Sequence, residues 1–361
     1  MSVFKNRVAA PLTSREGLEH FYREQFELRQ PEPLSPTQFK RMSTKHRAEE
    51  NERRIRFIHH GLTVGTPVVT EAAKRLSALN VHNRETLLDK LGLGLSGSPY
   101  LGKTHILFEL ARYTANRLYR DVPDFIELEM VPCVIITVPS PTTSKGVLQE
   151  MMNFFGFDFN QGYTESKLRS VLIPAMNEHG TRIVAFDEAH NMARGGPTQR
   201  ESTKNMVRKV VQDVIATPLF AGIQLQQNGL FTGISGSQLS TRTQMLNLVP
   251  FSAATENDRN LFLSTLDLFE GGIPLSGNEP GTLRSLAPYL YNRSGGIMGE
   301  LSNTLRTAAV MLINRGDVVR FGGEQFTEEL FEQIPLGAAA QARKDFIDEE
   351  DELDWPLWPS E

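Results

Sequence analysis

The sequence predicts an α/β fold, a parallel sheet sandwiched by helices and followed by a small helical lid subdomain. Three observations carry this. Apolar runs without polar alternation, LGLGLSG, VPCVIITVP and RIVAFDEAH, read as strands buried on both faces. Amphipathic stretches such as THILFELARYTANRLYR and SKLRSVLIPAMNEHG separate those runs, as strand–helix–strand units require. From about residue 255 the strand-like runs stop and only helical patterns remain.

Composition sets the frame for these elements. The chain has 361 residues, 40% hydrophobic and 22% charged, enough for a sizeable core. Its formal net charge of -5 excludes a uniformly basic surface but leaves room for a local basic patch or pore lining. The single cysteine, Cys133, cannot form an intramolecular disulfide, and in PCVIITV it reads as a small buried apolar residue. No stretch approaches the roughly 18 uninterrupted apolar residues of a membrane span, so a cytoplasmic, unanchored protein is expected.

Taken in order, residues 1–60 read as an N-terminal arm. PEPLSP breaks it at 31–36, and FKRMSTKHRAEENERRIRF follows as a solvated helix. There Lys40, Arg41, Lys45, Arg47, Arg53, Arg54 and Arg56 outnumber Glu49, Glu50 and Glu52, a balance that suits a solvated face or an arm for DNA or a partner. Residues 61–254 form the α/β nucleotide-binding core, which includes helices at SKGVLQEMMNFFG and MVRKVVQDVIA, a strand at GLFTGIS and a short run at MLNLVPF. Residues 255–340 are the helical lid, where Leu301, Leu305, Ala308, Ala309 and Leu312 share one helix face and Gly316 marks its stop. Residues 341–361 are an acidic tail, expected to be disordered in isolation. In it Trp355 and Trp358 are either docking anchors among acids or part of a solubilising end.

Between the first strand and its helix, Gly97, Ser98, Pro99, Tyr100, Leu101, Gly102, Lys103 and Thr104 match G-x-x-x-x-G-K-[ST]. In that pattern backbone amides and a helix N-terminus converge on phosphates, so ATP with Mg2+ is the expected cofactor. Lys103 would reach the β- and γ-phosphates, and Thr104 would hold the metal. The strand RIVAFDEAH supplies the acids: Asp187 to position Mg2+ and Glu188 to polarise an attacking water, which points to hydrolysis. Thr232, at the end of the expected strand GLFTGIS, is a candidate contact to the γ-phosphate or the water. Arg242, in STRTQMLNLVPF, is placed to reach a neighbouring subunit's nucleotide. Arg259 and Arg293 read first as salt-bridge formers.

These residues carry a resemblance. GSPYLGKT, VPCVIITVPSPTTSKGVLQEMMNFFGF, RIVAFDEAHNM, GLFTGISGS, FLSTLDLFEGGIPL and NRSGGIMGELSNTLRTAAVMLINRG together resemble an AAA+ ATPase of the TniB/TnsC-type transposition proteins, over about 90–335. The resemblance implies ATP-dependent assembly into rings or helical filaments around duplex DNA. It also implies target selection and contact with a transposase and a target-site selecting protein. Its DNA-facing residues lie on pore loops, which makes Lys145 with Thr143 the first candidates here and Lys167 and Arg169 the second. Each of these is equally a solvated surface group. One departure stands out: the position where many AAA+ proteins carry a sensing arginine in G-x-x-R reads Gly296-Ile297-Met298-Gly299. A helicase loader resembling IstB or DnaC, and a nucleotide switch without DNA, are the alternative readings.

Overall fold

The computed structural model describes residues 10–86, 89–227, 230–338 and 340–342. The chain divides into two compact units, Met1–Arg23 with Pro67–Leu248 and Glu24–Thr66 with Val249–Glu361.

The first unit is built on five strands: β1 (Gly92–Ser96), β2 (Cys133–Thr137), β3 (Ile183–Asp187), β4 (Thr217–Gly222) and β5 (Thr243–Asn247). They pair in the order β2-β3-β4-β1-β5, and every pairing is parallel. The residues of β1, β3 and β4 are all buried, which is why their sequences run apolar without alternation. Helix Pro67–Glu85 precedes β1, and Lys103–Asp121, Ser144–Phe155, Glu165–Glu178, Pro197–Asp213 and Gly233–Ser240 connect the strands. Because all strands point one way, their C-terminal ends form one rim, where ligands of such sheets bind. The loops after β1, β3 and β4 meet there.

One strand lies elsewhere than the sequence predicts. The strand beside β1 and β3 is TPLFAG, not GLFTGIS, and Gly233–Ser240 is a helix with Thr232 at its N-cap. Pro218 hid it, since a proline cannot donate to a ladder and argues against an interior strand. Here Pro218 precedes the β1 ladder, which starts at Leu93 opposite Leu219.

The second unit departs from the expected domains more deeply. Residues 24–66 do not form a separate arm; they build one unit with the lid helices, and the later stretch of that unit begins at Val249. Phe57, Ile58, Leu62 and Val64 are buried in one cluster with Phe262, Leu266, Phe269, Leu301, Leu305 and Leu312. Arg54, in the run expected to be solvated, is 2% exposed and faces Glu324, itself 1% exposed. Its Nη1 and Nη2 donate to the two Glu324 carboxylate oxygens at 2.6 and 3.0 Å, and Nη2 also donates to Asn51 Oδ1 at 2.6 Å. Glu324 accepts from the Ser276 amide at 2.8 Å, so the buried pair is satisfied by further polar groups. Most of the other basic residues of the run fit the solvated reading: Lys40, Arg41, Lys45, Arg53 and Arg56 are exposed, while Arg47 is half-buried.

Met298–Arg315 buries Leu301, Leu305, Ala308, Ala309 and Leu312 and ends on Gly316, whose φ of 69° favours glycine. Trp355, Trp358 and the acidic tail from residue 343 on lie outside the described residues. Among the described residues no helix is long and apolar enough to cross a membrane.

Candidate nucleotide site

The loop after β1 is pinned at its root and open at its crown. Leu248 donates its amide to the Ser96 carbonyl at 2.7 Å, and Leu225 donates to Ser96 Oγ at 3.0 Å. A Cβ on Gly97 would stand 2.7 Å from the Leu248 carbonyl oxygen, so the backbone passes where only glycine fits. Leu101 is buried and anchors the loop, whereas Ser98, Pro99 and Tyr100 are exposed. Tyr100 (φ 63°) and Gly102 (φ 83°) bend the chain into the helix Lys103–Asp121, which Gly102 caps. The first amides of that helix have no intrahelical acceptor, as at any α-helix start, and that makes them an anion site.

Lys103 is 6% exposed, and its Nζ donates to the carbonyls of Gly97 (3.0 Å) and Ser98 (2.6 Å). Burial lowers its pKa, while Glu188 and Asp187 oppose that shift. A buried cation resting on the loop's own carbonyls is one that an arriving phosphate can recruit. Next to it, Thr104 Oγ1 donates to Asp187 Oδ2 at 2.7 Å, and Asp187 Oδ1 accepts from the Glu188 amide at 2.9 Å. Asp187 ends β3 and is buried.

Glu188 adopts a left-handed backbone (φ 53°), uncommon for a side chain of its size. That turn sends the chain into the short 3-10 helix Ala189–Ala193 and leaves the Glu188 side chain 40% exposed. His190, two residues further on, is the group that meets it. His190 Nε2 lies 3.4 Å from Glu188 Oε2, and Nδ1 accepts from the Ile223 amide at 3.4 Å. Burial lowers the His190 pKa, with Glu188 opposing, so the ring is neutral at pH 7. With Nδ1 accepting, the single proton sits on Nε2 and faces Glu188. The imidazole therefore bridges the end of β4 and the acid.

The donor set fits Mg–ATP. Among the described residues no three His, Cys, Asp or Glu side chains gather into a metal cage. Mg2+ in nucleotide sites is usually bound by one or two protein oxygens together with substrate phosphates, and Thr104 with Asp187 would offer such a pair beside open amides and a buried lysine.

Other candidates fall elsewhere. Thr232 is exposed at a helix start, and its carbonyl accepts from Lys204 Nζ at 2.8 Å. The polar side chain that follows β4 is Gln224, exposed and with φ 46°. Arg242 precedes β5, and its carbonyl accepts from the Gly92 amide at the start of β1. Five residues of β1, about 16 Å, separate it from the loop, and its guanidinium pairs with Asp89. It cannot serve its own loop. Arg259 donates to the Ala253 carbonyl at 2.8 Å, and buried Arg293 binds the Ile334 carbonyl, so both are engaged inside the second unit.

Thr143 caps the helix Ser144–Phe155, with Oγ1 accepting from Gly146 at 2.9 Å, and Lys145 Nζ binds the Gln161 carbonyl. Ser144 Oγ bonds the Glu165 carboxylate, which draws together the starts of this helix and of Glu165–Glu178, the bearer of exposed Lys167 and half-buried Arg169. Exposed Arg194, bonded to Ser140 Oγ at 3.2 Å, joins the same rim and had no motif to announce it.

The model of a family described as TniB, bacterial TniB protein, matches residues 54–253. No curated protein sequence matches the chain. The Aeropyrum pernix ORC1 protein, in a structure in complex with DNA, is similar with a TM-score of 0.52 at 15% identity over 78% of this chain. The Aeropyrum pernix ORC2 protein, in ADPNP–ADP complexes, is similar with a TM-score of 0.51 at 15% identity over 72% of this chain. The chain spans 66% of the length of each, just under two thirds. At these identities the likeness is one of fold, that of AAA+ P-loop ATPases.

Proposed function

The chain belongs to the TniB family of bacterial proteins, and from that premise we propose an ATP-dependent, DNA-binding transposition regulator that assembles on duplex DNA and recruits a transposase. It is an ATPase of the AAA+ fold. The observation that carries the catalytic part is the Thr104–Asp187 hydrogen bond beside the buried Lys103.

The roles follow from the chain's own groups. Bound Mg–ATP supplies the phosphoanhydride whose cleavage drives the cycle. The amides at the start of Lys103–Asp121 and the Lys103 ammonium would hold phosphate oxygens, and Thr104 with Asp187 would hold the metal. Glu188 takes the proton from the attacking water, and His190 fixes the carboxylate's direction from the end of β4. Arg242 acts, once freed from Asp89, on the nucleotide of a neighbouring copy.

Thr143, Lys145, Lys167 and Arg169, with Arg194 added, contact the phosphate backbone of DNA. Such contacts are blind to sequence and sensitive to salt, so the target is chosen by a partner, a target-site selecting protein or the transposase. The protein works in the cytoplasm as a ring or helical filament. ATP orders the copies on DNA, and hydrolysis releases them.

Electron microscopy with a non-hydrolysable ATP analogue, with and without duplex DNA, tests this reading. DNA-dependent rings or filaments are expected. Assembly only on a helicase would replace it with the loader, and a DNA-independent oligomer with the nucleotide switch.

A further inference from the structure

The N-terminal ends of β3 and β4, across the sheet from the nucleotide loop, border a cavity of about 410 Å³. Ends of the helices Pro67–Glu85 and Lys103–Asp121 and the turns entering the two strands wall it. Among the described residues lining it, Arg84, Arg117 and Arg182 are cations and Asp121 is the one acid. Arg117 donates to Ser77 Oγ at 3.2 Å, a neutral partner. Neither Arg84 nor Arg182 has an ion-pair or hydrogen-bond partner for its guanidinium among the described residues.

Three cations converging with one acid leave positive charge that the chain does not balance. Arg182 feels it: burial and the nearby Arg84, then Arg117, lower its pKa, and Asp121 opposes them. Thr181 adds an independent mark. It lines the same cavity, is 3% exposed, and its buried hydroxyl has no hydrogen-bond partner among the described residues. The walls are not polar throughout, because Val81 (59% exposed) and Ile215 (63% exposed) both line the cavity.

We propose that this cavity docks an acidic peptide of a partner protein, setting a carboxylate among Arg84, Arg117 and Arg182 and an apolar side chain against Val81 and Ile215. A guanidinium fork matches a carboxylate, and an apolar anchor beside a charge contact is how short segments gain both affinity and direction. A duplex backbone, by contrast, is met by basic groups strung along successive phosphates. Here they converge into one hollow that Val81 and Ile215 also border. The proposal goes beyond the nucleotide chemistry and does not rest on it.

The test is fluorescence anisotropy on the full chain with three labelled probes: a peptide of alternating Glu and Leu, its Lys and Leu counterpart, and a duplex oligonucleotide. The acidic peptide is expected to bind, and the basic one not. Arg182→Gln and the exposed Arg84→Gln should each weaken acidic-peptide binding at least tenfold, with ATP hydrolysis unchanged. Val81→Ser with Ile215→Ser should weaken it several-fold. Failure of the acidic peptide to bind, or equal binding by the variants, overturns the proposal. So does oligonucleotide binding that the same two arginine variants abolish, which would make the cavity a phosphate site.

Discussion

Thr104 and Asp187, 83 residues apart in the chain, are joined by a 2.7 Å hydrogen bond from Thr104 Oγ1 to Asp187 Oδ2. The bond reaches past β4, which lies between their two strands in the sheet, and so sets the nucleotide loop against the acid-bearing strand. Both groups stand side by side, as the two metal ligands proposed above must.

Lys103→Ala removes the cation from this arrangement. A charge-assisted hydrogen bond contributes about 1.5–3 kcal/mol, so ATP affinity should fall roughly 10- to 100-fold. Titration calorimetry checks it, and nucleotide-dependent assembly on DNA should vanish with it. Undiminished affinity would mean the lysine stays on the Gly97 and Ser98 carbonyls.

Glu188→Gln keeps shape and removes the base. Hydrolysis should drop by about 10² to 10⁴, with ATP still bound and assemblies on DNA trapped. A wild-type turnover rate would show that another group takes the proton.

His190→Ala should lower kcat and leave KM nearly unchanged, because the ring touches Glu188 rather than the loop. His190→Asn, which keeps an acceptor for Ile223, should recover part of the loss. A change confined to KM would move the residue out of this role.

The same ring gives stability a pH dependence. Burial lowers its pKa from 6.5, so the unfolded chain binds a proton here that the folded chain does not. Stability from this group is complete above 6.5 and declines as pH falls through the interval down to the folded value. Urea midpoints measured on the acid side of 6.5 should therefore fall more steeply in the wild type than in His190→Asn. Parallel slopes would mean that the folded and unfolded rings titrate alike.

Arg54→Ala strands Glu324 without its cation, and breaking a buried pair from one side costs about 3–5 kcal/mol. Replacing both, as Arg54→Met with Glu324→Leu, should restore much of the melting temperature. A single variant that melts like the wild type would show that water reaches the pair.

The parts legible in the sequence are those where one local pattern decides. β1, β2 and β3 announce themselves by unbroken apolar runs, and the nucleotide loop by residues contiguous from Gly97 to Thr104. TPLFAG was concealed because Pro218 breaks the strand rule at a place where no ladder bond is lost. Arg54 was concealed for a different reason: its partners Glu324 and Ser276 lie far away in sequence, and a charge run looks solvated until its counter-ion is found. His190 stood in plain view inside DEAH, but its contact to Ile223 depends on where β4 ends, and β4 was the strand misplaced.

The second unit is made of two stretches, Glu24–Thr66 and Val249–Glu361, with most of the α/β unit between them. During synthesis Phe57, Ile58, Leu62 and Val64 leave the ribosome first, and their partners Phe262 to Leu312 only after the intervening sheet has been translated. At about 5–20 residues per second that interval lasts roughly 10 to 40 s. The α/β unit can close in that time, while the early apolar segment waits uncovered. The nascent chain thus carries a built-in delay, during which the apolar residues 57–64 are without their core partners.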